Sequence, residues 1–183
     1  MAEQKLVAEL LKAIIQSSVI DQYGIELSEE TDVVQKQMMD YEGRMRTLGL
    51  DKFNGLCYLA AVSLYKSEAS QEKQDAVGGL IVYVEDEVAE RVFKALGQKA
   101  NMDDESILNA AGAIAKNMAE GLNKQLSAKG FSSLVISEPV PARNDLSNGI
   151  PFHKSQYTYY EYDLHIWKQK AVVVALTLAT KAL

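Results

Sequence analysis

The stretch from Met102 to Lys129 constrains the fold more than any other part of the chain, because it reads as one long helix with a broad apolar face. Asp103, Asp104, Glu105 and Ser106 open it, placing side-chain acceptors where a helix N-terminus has free N–H groups and a positive dipole end. Gly130 closes it, as a residue that tolerates the left-handed C-terminal cap. At about 100° per residue, Ile107, Ala111, Ile114, Ala115, Met118, Leu122 and Leu126 share one stripe. Asn109, Ala113, Lys116, Glu120, Asn123 and Lys124 lie on the opposite face. Ala110, Gly112, Ala119 and Gly121 add small residues, so another element can approach this helix closely. The rest of the chain is read as packing around it.

Composition narrows the partners. A chain of 183 residues suits one compact domain spanning 1–183, burying roughly two-thirds of its unfolded surface. The balance of 19 basic against 25 acidic residues gives −6, which argues against nucleic acid or an anionic membrane. Cys57 is alone, so no intrachain disulfide forms and a reducing compartment is expected. Residues 1–20 mix Glu3, Lys5, Glu9 and Lys12 into their apolar run, unlike a signal peptide, and no run is long enough to span a bilayer. A cytoplasmic protein is the expectation.

The flanking segments supply a sheet. Residues 1–24 form an N-terminal helix with Leu6, Val7, Leu10, Leu11, Ile14, Ile15 and Val19 on one stripe, ended by Tyr23-Gly24. Ile25–Leu27 reads as a short strand, and 29–48 as an irregular strand near Val33–Tyr41, a surface helix being the alternative. Leu56–Tyr65 and Gly78–Val84 make a hairpin around the polar turn Lys66–Asp75. Glu85-Asp86-Glu87 caps a helix running to Leu96. After the central helix (103–129), Phe131–Ser137 is a strand ended by Pro139 and Pro141, and 142–151 is a loop with an Asn148-Gly149 turn. Residues 157–180 form a C-terminal hairpin, with Tyr157–Trp167 and Ala171–Thr180 joined through Lys168-Gln169-Lys170. The order predicts an α+β domain with helices packed on one face of an antiparallel sheet.

Three segments then resemble one family. Gly79–Gly97 (GLIVYVEDEVAERVFKALG) resembles the strand, acidic turn and helix of the CheX chemotaxis phosphatases, within the wider CheC/CheX/FliY group. The sequence NAAGAIAKNMAEGLNKQLSAKGF resembles that family's central helix, and LVISEPVPAR at 134–143 its serine–proline strand end. The resemblance runs from about Ile25 to the C-terminus and implies a CheX/CheC-like fold. It also implies an active site built on a Glu-x-x-Asn pair: the acid grips a lysine of a phosphorylated response regulator and the amide orients the attacking water. Such chemistry rests on positioning.

Aligned without gaps from Gly112 to Gly130, the two positions hold Ala113 and Lys116. Alanine cannot pair with a lysine, and an ammonium group has no acceptor with which to orient water. Shifting the frame by one residue puts Asn117 at the amide position but Ile114 at the acid position. Glu120 and Asn123 form the chain's one Glu-x-x-Asn, on the exposed face. They define a displaced site as the alternative; two polar residues that share this spacing by accident are the simpler reading.

Three functions are therefore weighed. The first is a CheX-like signalling domain that binds a response-regulator receiver domain or another signalling protein without hydrolysis, through Asn109, Ala113, Lys116, Glu120, Asn123 and Lys124. The second is an aspartyl-phosphate phosphatase using Glu120 and Asn123. The third is a structural homo-oligomer joined along the edge of the C-terminal hairpin. The family resemblance also implies a homodimer paired through sheet strands. No cofactor or metal is expected; any Mg would sit on the receiver domain. Other chemistry-bearing residues have plainer readings. His153 and His165 lack companions at metal-ligand spacing, with His165 on a solvent-facing strand surface beside Tyr157, Tyr159, Glu161 and Asp163. The tyrosines suit cross-strand packing or a protein-binding face. Cys57 lies in an apolar strand, as an inert buried thiol does, and Met38, Met39 and Met45 are core filling or an adaptable surface.

Overall fold

The structure is a computed structural model describing residues 2–99, 101 and 103–183. Met102, the first residue of the expected central stretch, lies outside the described residues. Helix α1 (Ala2–Ile15) continues through a π-helical turn at Gln16–Asp21. Short strands β1 (Val34–Gln37), β2 (Asp40–Tyr41) and β3 (Arg44–Met45) follow, then helix α2 (Leu50–Phe53). Strands β4 (Cys57–Tyr65) and β5 (Gly78–Glu85) flank the short helix α3 (Glu68–Glu72) and lead to α4 (Ala89–Ala95) and the long α5 (Asp104–Ala128). The chain ends in β6 (Val135–Ile136), β7 (Val140–Arg143), β8 (Ile150–Pro151), β9 (Thr158–Ile166) and β10 (Gln169–Leu178).

An antiparallel sheet of order β1-β9-β10-β5-β4-β6, with β7 also paired to β4, carries the two long helices on one face. These run antiparallel to each other: Glu9 faces Lys129 at 3.9 Å, and Gln22 faces Asn117 at 3.3 Å. The apolar stripe of α5 is buried from Ile107 to Leu126 against β4 and β5. Its small residues serve the expected close approach. A Cβ on Gly121 would collide with Ser18 Oγ of the π-helical turn, so glycine here lets the two helices approach with that hydroxyl between them.

Both faces of the central strands are covered. β4 and β5 are buried along nearly their whole length, which is why they read as continuous apolar runs. On the face away from the long helices, Leu59, Ala61, Ile81, Tyr83, Val173 and Ala175 pack against Met45 and Ile150 of a second sheet, β2-β3-β8. Gly149 turns the chain there at φ +57, against the carbonyl of Met45. Met38 and Met45 fill this layer, while Met39 is exposed.

Several expectations are corrected. Ile25–Leu27 is no strand: the segment is tied to β9 by Ser28, whose N–H donates to the His165 carbonyl at 2.8 Å, and by a Glu29–His165 bridge. Of Phe131–Ser137 only Val135–Ile136 is a strand, and the prolines do not end pairing; β7 continues along β4, with Pro141 on an edge where its missing N–H costs nothing. The polar turn 66–75 folds α3, capped by Ser67, whose hydroxyl accepts from the Ser70 N–H. The C-terminal hairpin turns at Trp167-Lys168, both at positive φ, so Gln169 and Lys170 already belong to β10. Its outer edge is not free, because β1 pairs with β9 over Thr158–Glu161. Alternation along β9 holds, yet the face of Tyr159 and Glu161 lies under the second layer and Glu161 is only 2% exposed.

Candidate partner-docking face on the central helix

Capping and side-chain pairs fix the N-terminus of α5. The Asp103 carboxylate accepts from the Ser106 N–H at 2.8 Å. Asp104 accepts from the Tyr58 hydroxyl at 2.7 Å, and Arg143, ion-paired with Asp86 at 2.6 Å, lies over the Tyr58 ring. Burial, then the Asp104 hydrogen bond, push the Tyr58 phenol up to about 12, so it stays protonated and donating.

The serine–proline segment lies along the same helix. Ser137 Oγ accepts from the Ser63 N–H at 2.8 Å, holding the bend between β6 and β7 to the sheet. Pro139 rests against Gly112, and Lys116 Nζ reaches Glu138 at 3.4 Å with both groups open to water. Such a pair is weak and easily exchanged for another partner.

Along the expected surface line, Asn109, Ala113, Glu120 and Lys124 are exposed, while Lys116 and Asn123 are half-buried. Asn123 points away from that surface. The Leu134 N–H donates to its Oδ1 and its Nδ2 donates to the Leu134 carbonyl, each at 2.8 Å. Glu120 and Asn123 share a helix face, Glu120 exposed and Asn123 bonded to the Leu134 backbone. Asn117 donates to Gln22 Oε1 at 3.3 Å across to the end of the first helix.

Other candidates separate. His153 Nδ1 caps its own turn at Ser155, and His165 lies 3.6 Å from Glu29. Among the described residues no group of His, Cys, Asp and Glu is arranged to hold a metal ion, and no helix is long and apolar enough to cross a membrane. Cys57 is fully buried, and burial raises its thiol to about 11, so it carries no thiolate near neutrality.

Sequence reasoning missed a polar cluster under the second layer. Glu161 accepts from Lys52 Nζ, from Lys36 Nζ at 2.7 Å and from the Tyr159 hydroxyl at 2.9 Å. Burial alone would raise its carboxyl, but the two lysines win and hold it below its ordinary value. Alternation placed Tyr159 and Glu161 on one face; nothing in the aperiodic segment around Lys52 signalled that its amine would reach them.

Comparison with known proteins now bears on this arrangement. No family model matches the sequence, and no curated protein matches it. Solved structures do. FliY from Thermotoga maritima superposes with a TM-score of 0.61 at 14% identity, over 98% of this chain and 91% of that one. The chemotaxis protein CheX from Desulfovibrio desulfuricans gives 0.59 at 15% identity, over 93% and 99%. The FliM middle domain from H. pylori gives 0.53 at 11%, over 98% and 91%. The chain has the CheX/CheC-type fold, shared with the chemotaxis protein CheX, FliY and the FliM middle domain. At these identities the likeness speaks for the fold alone.

Proposed function

We propose that this chain is a chemotaxis-type signalling domain that docks the receiver domain of a response regulator, through the exposed face of α5, without hydrolysing its phosphate. The observation that carries the reading is the chemistry of that face: Ala113 and Lys116 stand where the resemblance calls for an acid and an amide. Ala113 and Asn109 are exposed on the same face as Lys116, whose amine is free to leave Glu138 for an anionic partner. The displaced phosphatase is less favoured, because both polar atoms of Asn123 are already engaged by Leu134.

Pairing of two copies is part of the same proposal. The two sheet edges differ: the β6–β7 edge carries Pro139 and Pro141, whereas β1 is exposed at all four residues and contains no proline. The third reading, a structural oligomer, would use β1 rather than the covered hairpin.

Binding tests the docking claim. The immobilised protein is titrated with a single-domain response regulator, with and without phosphorylation by acetyl phosphate. The phosphorylated form is expected to bind more tightly, and Ala113→Arg or Lys116→Glu to weaken it at least about tenfold, or ~1.4 kcal/mol. Binding indifferent to both phosphorylation and these changes contradicts the reading.

A further inference from the structure

The Glu161 cluster has the composition of an ammonium-binding site, and the structure shows an ammonium group in it. Lys52 Nζ lies 5.2 Å from the ring centroid of Tyr83, within the range of cation–π attraction. It also donates to the Glu161 carboxylate and to the Tyr159 hydroxyl at 3.1 Å. An aromatic ring, a phenol hydroxyl and a carboxylate are elements by which proteins hold lysine and alkylammonium side chains. The walls belong to the rigid sheet: Tyr83 on β5 is 1% exposed, and Tyr159 and Glu161 are neighbours on β9.

The occupant, by contrast, arrives on a thin strap. α2 is one turn long, has no side-chain N-cap, and ends at Asn54 in the left-handed conformation. Leu50 within it is 52% exposed, and Phe53 is its one apolar side chain packed against the second-layer core. Besides Lys52, it is held at its end by the packing of Phe53 and at its start by Gly49, whose N–H donates to the Asn144 carbonyl at 2.6 Å. Lys36, half-exposed on β1, keeps Glu161 paired from the other side when the strap moves.

We propose that Tyr83, Tyr159 and Glu161 form an alkylammonium-binding site, that Lys52 is its internal and displaceable occupant, and that α2 is the strap that opens it to a lysine side chain from outside. The site lies on the opposite sheet face from the docking helix and does not depend on the receiver-domain reading.

n-Butylammonium chloride is the probe, with sodium chloride at equal ionic strength as control. Lys52→Ala empties the site. Its melting temperature is expected to rise saturably with butylammonium, and the rise to vanish in Lys52→Ala/Glu161→Gln. In the wild-type protein the same concentrations are expected to accelerate hydrogen exchange at amides 49–54. No ammonium-specific rise in Lys52→Ala overturns the site. Unchanged exchange in the wild type at concentrations that saturate the variant overturns the displaceable strap. Should Lys52→Ala fail to fold, the exchange measurement on the wild type decides by itself, unchanged exchange at 49–54 up to the highest butylammonium concentration that leaves the fold intact overturning the proposal.

Discussion

Asn123 on α5 and Leu134 at the approach to β6 exchange two hydrogen bonds through both atoms of the Asn123 amide, 2.8 Å each. The pairing imitates a strand ladder and satisfies the backbone of a residue only 7% exposed as the chain leaves the helix for the sheet. Asn123, the amide of the chain's one Glu-x-x-Asn, thereby ties helix to sheet. Replacing Asn123 with alanine leaves a buried N–H and C=O without partners and should cost about 2 kcal/mol. Urea denaturation measures it. A variant of wild-type stability would free the amide for another role.

Gly121 offers a test of the helix pair. Ordinary propensity makes Gly→Ala within a helix stabilising by up to about 1 kcal/mol. Here the added Cβ meets Ser18 Oγ, so Gly121→Ala should destabilise instead. Ser18→Ala removes the colliding oxygen, and the double variant should recover most of the loss. A thermal-melt double-mutant cycle reads the coupling.

Acid stability should report Glu161. Its native carboxyl lies below the ordinary 4.5, because Lys36 and Lys52 outweigh the effect of burial. The unfolded chain therefore binds this proton at higher pH than the native one does. The contribution is complete above the unfolded value and is lost as pH falls through the lowered native value. Glu161→Gln should flatten stability against pH below about 5, and should destabilise at neutral pH by on the order of 3 kcal/mol, since it leaves Lys52 buried without its counter-charge. Denaturation midpoints from pH 3 to 8 decide this; an unchanged acid slope would remove Glu161 from the account.

What was legible in the sequence is what periodicity writes. α5, β4, β5 and the C-terminal hairpin carry long repeats of period 3.6 or 2, or unbroken apolar runs, and each stands within a few residues of its expected bounds. The 25–54 segment was not legible: β1, β2 and β3 are two to four residues long and owe their pairing to β9 and β8 rather than to their own pattern. β7 was hidden by its prolines, which an edge strand accommodates. The exposed line on α5 was readable from helical spacing, but not that Asn123 turns back to Leu134, a contact between residues on separate elements. The Lys52–Glu161 pair spans 109 positions and joins an aperiodic turn to a strand, so no local signal could announce it.

The most direct test of the central claim is the rate of phosphate loss from a phosphorylated single-domain response regulator, alone and with this protein. The wild type should leave the rate unchanged, and Ala113→Glu/Lys116→Asn should accelerate it by supplying the acid and the amide. Acceleration by the wild type that disappears in Glu120→Ala would contradict the account and make the displaced pair an active site.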